Sequence, residues 1–362
     1  MKAPALRLTG TVVIDDYTEV SDVWVVGGRF SFAPPPGEVI TLTGWFFPGL
    51  VDVHCHIGLD AQGAVDRETA RSQALADRNS GVLLIRDAGS PTDTSWVASQ
   101  EDLPRLIRCG HHLARPKRYI RNYAQELSDS NDLADALVSN LESNSDGWNK
   151  IVADWIDRDH GDLAPLWSEQ QLRDGLNAVH ARGGRVTAHT FSREAIGPLL
   201  DAGIDCIEHG TGMLPDDMAR AAAGNVAVTP TLLQIGQFEN IAAAGERKFP
   251  AFAQRMRSMY LRRYDQARAF FDSGMQILVG TDAGGTLTHG RIADECAQLV
   301  KAGIPAGEVV AFASWRARSF LGVPGIVEGE SADVVGYAWD PRTDIRALAH
   351  PKYVVLRGVV QR

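Results

Sequence analysis

Eight times between residues 50 and 277 a short apolar run is followed by sequence of helical character, and this alternation limits the folds open to the chain more than any other feature. The runs open at Leu50, Val82, Arg105, Lys150, Arg185, Cys206, Val226 and Ile277. Each is too short for a buried helix and is bounded by turn residues, so each reads as a strand. The intervening stretches read as helices over 66–78, 131–141, from Ser168 to the Gly183-Gly184 stop, over 192–202 and 215–223, and along one long stretch between Phe238 and Phe271. Ser168 and Gln171 stand at capping-box spacing. Eight strands alternating with helices predict an α/β chain, a (β/α)8 barrel over residues 48–325. At 362 residues and 44% hydrophobic content, there is room for a barrel of roughly 200–250 residues and a smaller unit.

The flanks follow a different pattern. Residues 1–47 alternate short apolar segments (11–14, 23–26 and 39–42) with turn signals at Gly27-Gly28 and Pro34-Pro35-Pro36-Gly37, which predicts small antiparallel strands. Strands return after Ile326, at 333–337, 353–356 and 359–360. The expectation is one β-sandwich domain built from both chain ends, residues 1–47 and 326–362.

In a barrel of this type catalytic groups stand at the C-terminal ends of the strands. Those ends carry His54 and His56 on the first strand, His189 on the fifth, His209 on the sixth and Asp282 on the eighth, with Lys150 opening the fourth. His54 and His56 occupy alternate strand positions and so share a face, an arrangement that presents two imidazoles to one divalent metal. Each residue alone also fits an ordinary structural role: core histidine, helix cap, surface lysine. Their joint convergence on one rim is what points to metal chemistry.

Pro48-Gly49-Leu50-Val51-Asp52-Val53-His54-Cys55-His56, Val152-Ala153-Asp154-Trp155, Ala188-His189-Thr190, Glu208-His209-Gly210 and Gly280-Thr281-Asp282-Ala283-Gly284 together resemble the metal-dependent amidohydrolase superfamily. Arg86-Asp87-Ala88-Gly89 and Thr229-Pro230-Thr231 look most like its branch of prolidase-like dipeptidases and imidazolonepropionases. The resemblance implies that His54 and His56 hold one divalent ion, with zinc as the expected metal, and that His189 and His209 hold a second. It implies that Lys150 is carboxylated by carbon dioxide so that its carbamate bridges both ions. Asp282 would complete the first site and act as the catalytic proton carrier. Strand alternation, independently, expects Glu208, next to His209, to face away from the metals as a structural residue. Two ions roughly 3.5–4 Å apart can share a hydroxide that attacks a substrate carbonyl.

The implied activity is hydrolysis of a C–N amide bond in a small carboxylate-bearing molecule, a dipeptide or an N-acyl amino acid. A mononuclear cyclic-amide hydrolase or deaminase, and a non-catalytic binding protein on the same barrel, stay open as alternatives. After the third strand the chain reads Gly110-His111-His112, then Arg115 to Tyr123. This basic, aromatic loop offers Arg118 or Arg121 as a carboxylate clamp, Tyr119 or Tyr123 as a hydrogen-bond donor, and His111 as a further contact. Phe249, Phe252, Met256, Met259, Tyr260 and Tyr264 offer an apolar pocket wall or lid, a packed helical face, or a subunit contact.

A net charge of −9 and a pI near 5.6 argue against nucleic acid, whose phosphates call for clustered Lys and Arg. The amino end lacks a signal-peptide core, and no apolar run approaches the roughly 18 residues of a membrane span. Four scattered cysteines, Cys55, Cys109, Cys206 and Cys296, suggest neither a disulfide framework nor a thiolate zinc site. The expectation is a cytoplasmic protein with a small-molecule substrate, with assembly into a homo-oligomer left open.

Overall fold

All eight predicted strands are found in the computed structural model, which describes residues 4–128 and 133–362. They run Leu50–Cys55, Val82–Asp87, Arg105–Arg108, Trp148–Val152, Arg185–Thr190, Cys206–His209, Ala227–Thr229 and Gln276–Ile277. Every residue of the first, second and fourth is buried. Burial on both faces is why these strands read as continuous apolar runs instead of alternating ones.

The strands pair in parallel. The third changes partner along its course. Arg105–Arg108 pairs with Val82–Asp87, and after a break His112–Ala114 pairs with Trp148–Val152, placing His112 opposite Lys150. At the other edge the Val53 N–H donates to the Val279 carbonyl at 3.0 Å, and the Leu278 N–H to Val228 at 2.9 Å. A Cys55–Ala283 bridge extends the same seam. The fold is mixed α/β, with its parallel strands in two sheets.

The helices begin where the sequence supplies caps. Asp66 accepts from the Thr69 N–H at the start of Arg67–Asn79, and Ser168 with Gln171 forms the capping box of Glu169–His180. The predicted start of the 131–141 helix lies outside the described residues; the helix is observed over Leu133–Ser143. The single stretch expected between Phe238 and Phe271 is two helices, Phe238–Gly245 and Pro250–Asp272. Pro250 explains the break, because a residue without an N–H is tolerated in the first turn of a helix but not in its interior.

The chain ends do meet. Strands from residues 5–48 and 334–360 form a seven-stranded sheet. The sequence predicts two facing sheets of antiparallel strands; the strands form one hydrogen-bonded sheet, and Ala5–Val13 pairs in parallel with Val39–Pro48. The proline-rich turn returns the chain to the far side of Ala5–Val13, whose other edge already holds Glu19–Val26. Val39–Pro48 then leads through Gly49 directly into the first parallel strand. The Ser314 hydroxyl donates to the Pro48 carbonyl and the buried Arg318 guanidinium to that of Gly49, which fixes the entry to the strand carrying His54 and His56. Among the described residues no helix is long and apolar enough to cross a membrane.

Candidate metal centre

The first strand presents His54 and His56 with their outer nitrogens already committed. His54 Nδ1 lies 2.7 Å from a Glu208 carboxylate oxygen and His56 Nδ1 2.7 Å from the Gly89 carbonyl. Both partners only accept, so each Nδ1 carries a proton and each ring turns its Nε2 inward. Asp282 Oδ1 stands 3.2 Å from His54 Nε2 and 3.1 Å from His56 Nε2. A carboxylate oxygen set against two imidazole nitrogens is a donor set that suits a cation between them. On the opposite side His209 Nε2 lies 3.1 Å from His189 Nδ1, and His209 Nδ1 bonds the Thr231 hydroxyl at 2.7 Å. The buried Nε2 of His189 has no hydrogen-bond partner. Lys150 Nζ, also buried, lies 3.4 Å from His54 Nε2. The structure thus brings all six predicted candidates together, and the donor set of four imidazoles, a carboxylate and an amine fits divalent metal ions.

Burial and charge set the protonation states. Burial pushes His209 down to about 3 and lowers His56 and, further, His189, leaving these rings neutral as ligands must be. Burial also lowers Lys150. For Asp282 burial acts upward, yet the neighbouring His54 and His56 hold its carboxyl well below the usual range. His54 is the exception. Burial and Lys150 lower its pKa, but the Glu208 and Asp282 carboxylates carry it above the ordinary histidine value, the response of an imidazole between two anions.

Glu208 departs from expectation: it faces inward. It is fully buried, pairs with the equally buried Arg86, accepts from Thr187 and anchors His54. Alternation from Glu208 would aim His209 the other way, but His209 has φ 67°, and this left-handed turn brings its ring back to the same centre. Thr231 (φ 46°) and Asp282 (φ 58°) share the conformation. Strain in non-glycine residues of about 1–3 kcal/mol each is characteristic of functional positions. Gly280 permits the close approach of the eighth strand, since a Cβ there would lie 2.5 Å from His54 Cβ.

The loop after the third strand divides. Tyr119 and Tyr123 line a cavity of about 460 Å3 that opens over His56, His189 and Asp282. Arg118 turns away, bonded to Asp157 at 3.0 Å and to the Ala164 carbonyl at 3.0 Å. Arg121 is exposed and absent from the cavity lining. His111 bonds the Ser90 carbonyl at 3.0 Å beside a separate, smaller cavity. Its neighbour His112 is the residue that sequence reasoning missed. His112 is buried with neither ring nitrogen partnered, and its ring centroid lies 4.9 Å from that of His56 and 5.5 Å from that of Tyr119. Sequence offers no signal that separates it from His111; its register with Lys150 is a property of the strand pairing. Phe252 and Met256 line the cavity, whereas Met259 packs in the apolar cluster behind it and Tyr264 bonds Gln298.

Residues 45–360 match the model of the Amidohydrolase family. An uncharacterised protein of Mycobacterium tuberculosis (strain ATCC 25618 / H37Rv) is 48% identical over 337 residues, covering 93% of this chain and 90% of that protein. A Xaa-Pro dipeptidase structure with methionine bound in its active site is similar with a TM-score of 0.82 at 21% identity, over 99% of this chain and 100% of that one. A prolidase complexed with N-methylphosphonate-L-proline has a TM-score of 0.79 at 19% identity, over 99% of both chains. Structural likeness at such identities shows the fold, and the neighbours are prolidase-like amidohydrolases. The family match, spanning most of the chain, shows that this protein belongs to the amidohydrolase family.

Proposed function

We propose that this amidohydrolase is a binuclear metal-dependent enzyme that hydrolyses a C–N amide bond of a small molecule at the rim of a closed (β/α)8 barrel. The barrel comprises residues 48–325, and residues 1–47 and 326–362 form the accompanying β-domain. The reading is carried by one observation: Asp282 Oδ1 stands within 3.2 Å of the inward nitrogens of both His54 and His56, opposite the facing pair His189 and His209. In it, His54, His56 and Asp282 hold one ion, His189 and His209 the other, and a carboxylated Lys150 both. Zinc suits the imidazole-rich donor set.

Divalent ions in such a site lower the pKa of water towards neutrality and polarise a carbonyl. The protein's residues supply the rest. Burial, which favours the neutral amine of Lys150, favours the form that adds carbon dioxide. Asp282, held as a carboxylate, accepts the proton of the attacking water and returns it to the departing nitrogen. Gly89 and Glu208 fix the His56 and His54 rings, and Thr231 fixes His209. Tyr119, which lines the cavity and packs on His112, orients the substrate carbonyl over the centre, and His112 packs against His56. The four cysteines are free and buried, in keeping with a reducing cytoplasm.

Asp282→Asn is the direct test. Loss of the proton carrier should lower kcat by about 10²–10⁴-fold and remove the acidic limb of the pH profile, and an unchanged profile would exclude the assigned role. Thr231→Val probes the second ion. Deleting the hydroxyl that orients His209 should weaken metal binding about 10–100-fold, as read by competition with a chromophoric chelator; unaltered affinity would show that Thr231 does not serve the site. The mononuclear alternative rests on His54, His209 and Asp282, whose ligand atoms all lie within 4.8 Å of one another. Metal analysis decides between the two, with about two equivalents per chain expected and about one favouring the alternative.

A further inference from the structure

The cavity above the candidate centre is walled by Tyr119, Trp155, Phe191, Phe252 and Met256, with uncharged amides from Gln234, Gln237 and Asn240. Among the described residues, its ionisable side chains besides the tyrosines are His56, His189 and Asp282, all at the metal end, and no lysine or arginine lines it. Four nearby guanidiniums are engaged elsewhere: Arg118 with Asp157, Arg255 with Asp162 and Glu194, Arg262 with the Thr211 carbonyl and Arg263 with the Tyr260 carbonyl; Arg121, between the lining residues Ile120 and Tyr123, is exposed and does not line the cavity. A carboxylate entering this chamber would lose its hydration and find no cation on the walls, which disfavours it strongly. An aromatic or aliphatic group would find complementary surface in a volume of ligand size.

We propose that the substrate is an uncharged amide whose acyl and amine portions are both apolar or aromatic and carry no carboxylate. The inference rests on the hydrolase reading above and departs from the carboxylate-bearing substrate that the sequence suggests. The chemistry balances with water alone. Water oxygen bonds to the acyl carbon, the C–N bond breaks with its electron pair going to nitrogen, and nitrogen takes the proton that Asp282 carries. At neutral pH a neutral substrate thereby becomes a carboxylate and an ammonium ion. The amides of Gln234, Gln237 and Asn240 can bond a neutral carbonyl or N–H without requiring charge.

A matched pair tests this. N-octanoyl-2-phenylethylamine and N-octanoyl-L-phenylalanine differ only by the carboxylate. The zinc-loaded chain should cleave the neutral member with at least about tenfold higher kcat/KM, and the metal-free chain should bind it at least about tenfold more tightly by calorimetry. Gln237→Arg, which places a cation on the wall, should shift both ratios about tenfold towards the acid. Equal or preferred binding and cleavage of the acid by the native chain overturns the inference while leaving the hydrolase reading intact. Preferential binding of the neutral member with cleavage of neither keeps the inference and overturns the hydrolase reading. Binding of neither member overturns the inference.

Discussion

Replacing Lys150 with alanine is expected to lower turnover on the order of 10⁴-fold or more, the scale seen when one member of a cooperating catalytic set is removed, and to reduce bound metal from about two equivalents to about one. The argument is geometric. Lys150 is 1% exposed and its Nζ points at His54 Nε2, 3.4 Å away, in the midst of the histidines. An ammonium there would repel divalent ions, whereas the carbamate formed from the neutral amine offers two anionic oxygens. The folded state should not suffer. Burying an amine with only a 3.4 Å imidazole contact favours folding little, so the metal-free alanine variant should unfold at the same denaturant midpoint as the metal-free native chain or a higher one. Loss of activity with unchanged stability separates a metal-bridging lysine from a core residue. Full metal content in the variant, measured by elemental analysis, would rule the bridge out.

The second large effect concerns folding. Glu208→Ala should destabilise the protein by about 3–5 kcal/mol, because it strands the Arg86 guanidinium in the interior without its counter-ion. Both side chains are 0% exposed. Arg86 also donates to the Val53 carbonyl at 2.8 Å and lies 4.6 Å from the Trp148 ring centroid, so it has no route to solvent. The Glu208 carboxylate, which burial alone would protonate, is held ionised by Arg86 and His54. The same substitution removes the partner of His54 Nδ1, and metal affinity should fall about 10–100-fold alongside the stability. Removing both charges, as Arg86→Met with Glu208→Leu, should cost less than Glu208→Ala alone, since no unpaired ion remains. Urea titration of the three variants measures this. A double variant less stable than Glu208→Ala would contradict the stranded-charge explanation.

These two residues mark how far the sequence could be read. Lys150 was identifiable because it opens an apolar strand at a fixed place in the order of histidine-bearing strands. Glu208 was misjudged, because period-two alternation assumes extended backbone through His209, and His209 is left-handed. Nothing in Glu208-His209-Gly210 by itself announces that turn; it is sustained by surrounding packing and by the bond to Thr231, 22 residues along the chain. The same limit separates His111 from His112. The dipeptide is evident in sequence, but only the pairing of His112 with Lys150 decides which ring turns inward.

From its sequence alone the chain determined where its strands open, where its helices are capped, and which four histidines, lysine and aspartate are candidates for metal. Those features follow from local periods, turn residues and caps, which act over a few residues. Tertiary structure decided what depends on distant partners: the parallel pairing of the two amino-terminal strands, the inward turn of Glu208, and the engagement of Arg118 by Asp157 that leaves the cavity walls without a cation. An arginine in a loop carries the same charge whichever way it points. Its direction is fixed by an acid 39 residues away, a pairing that no local pattern encodes.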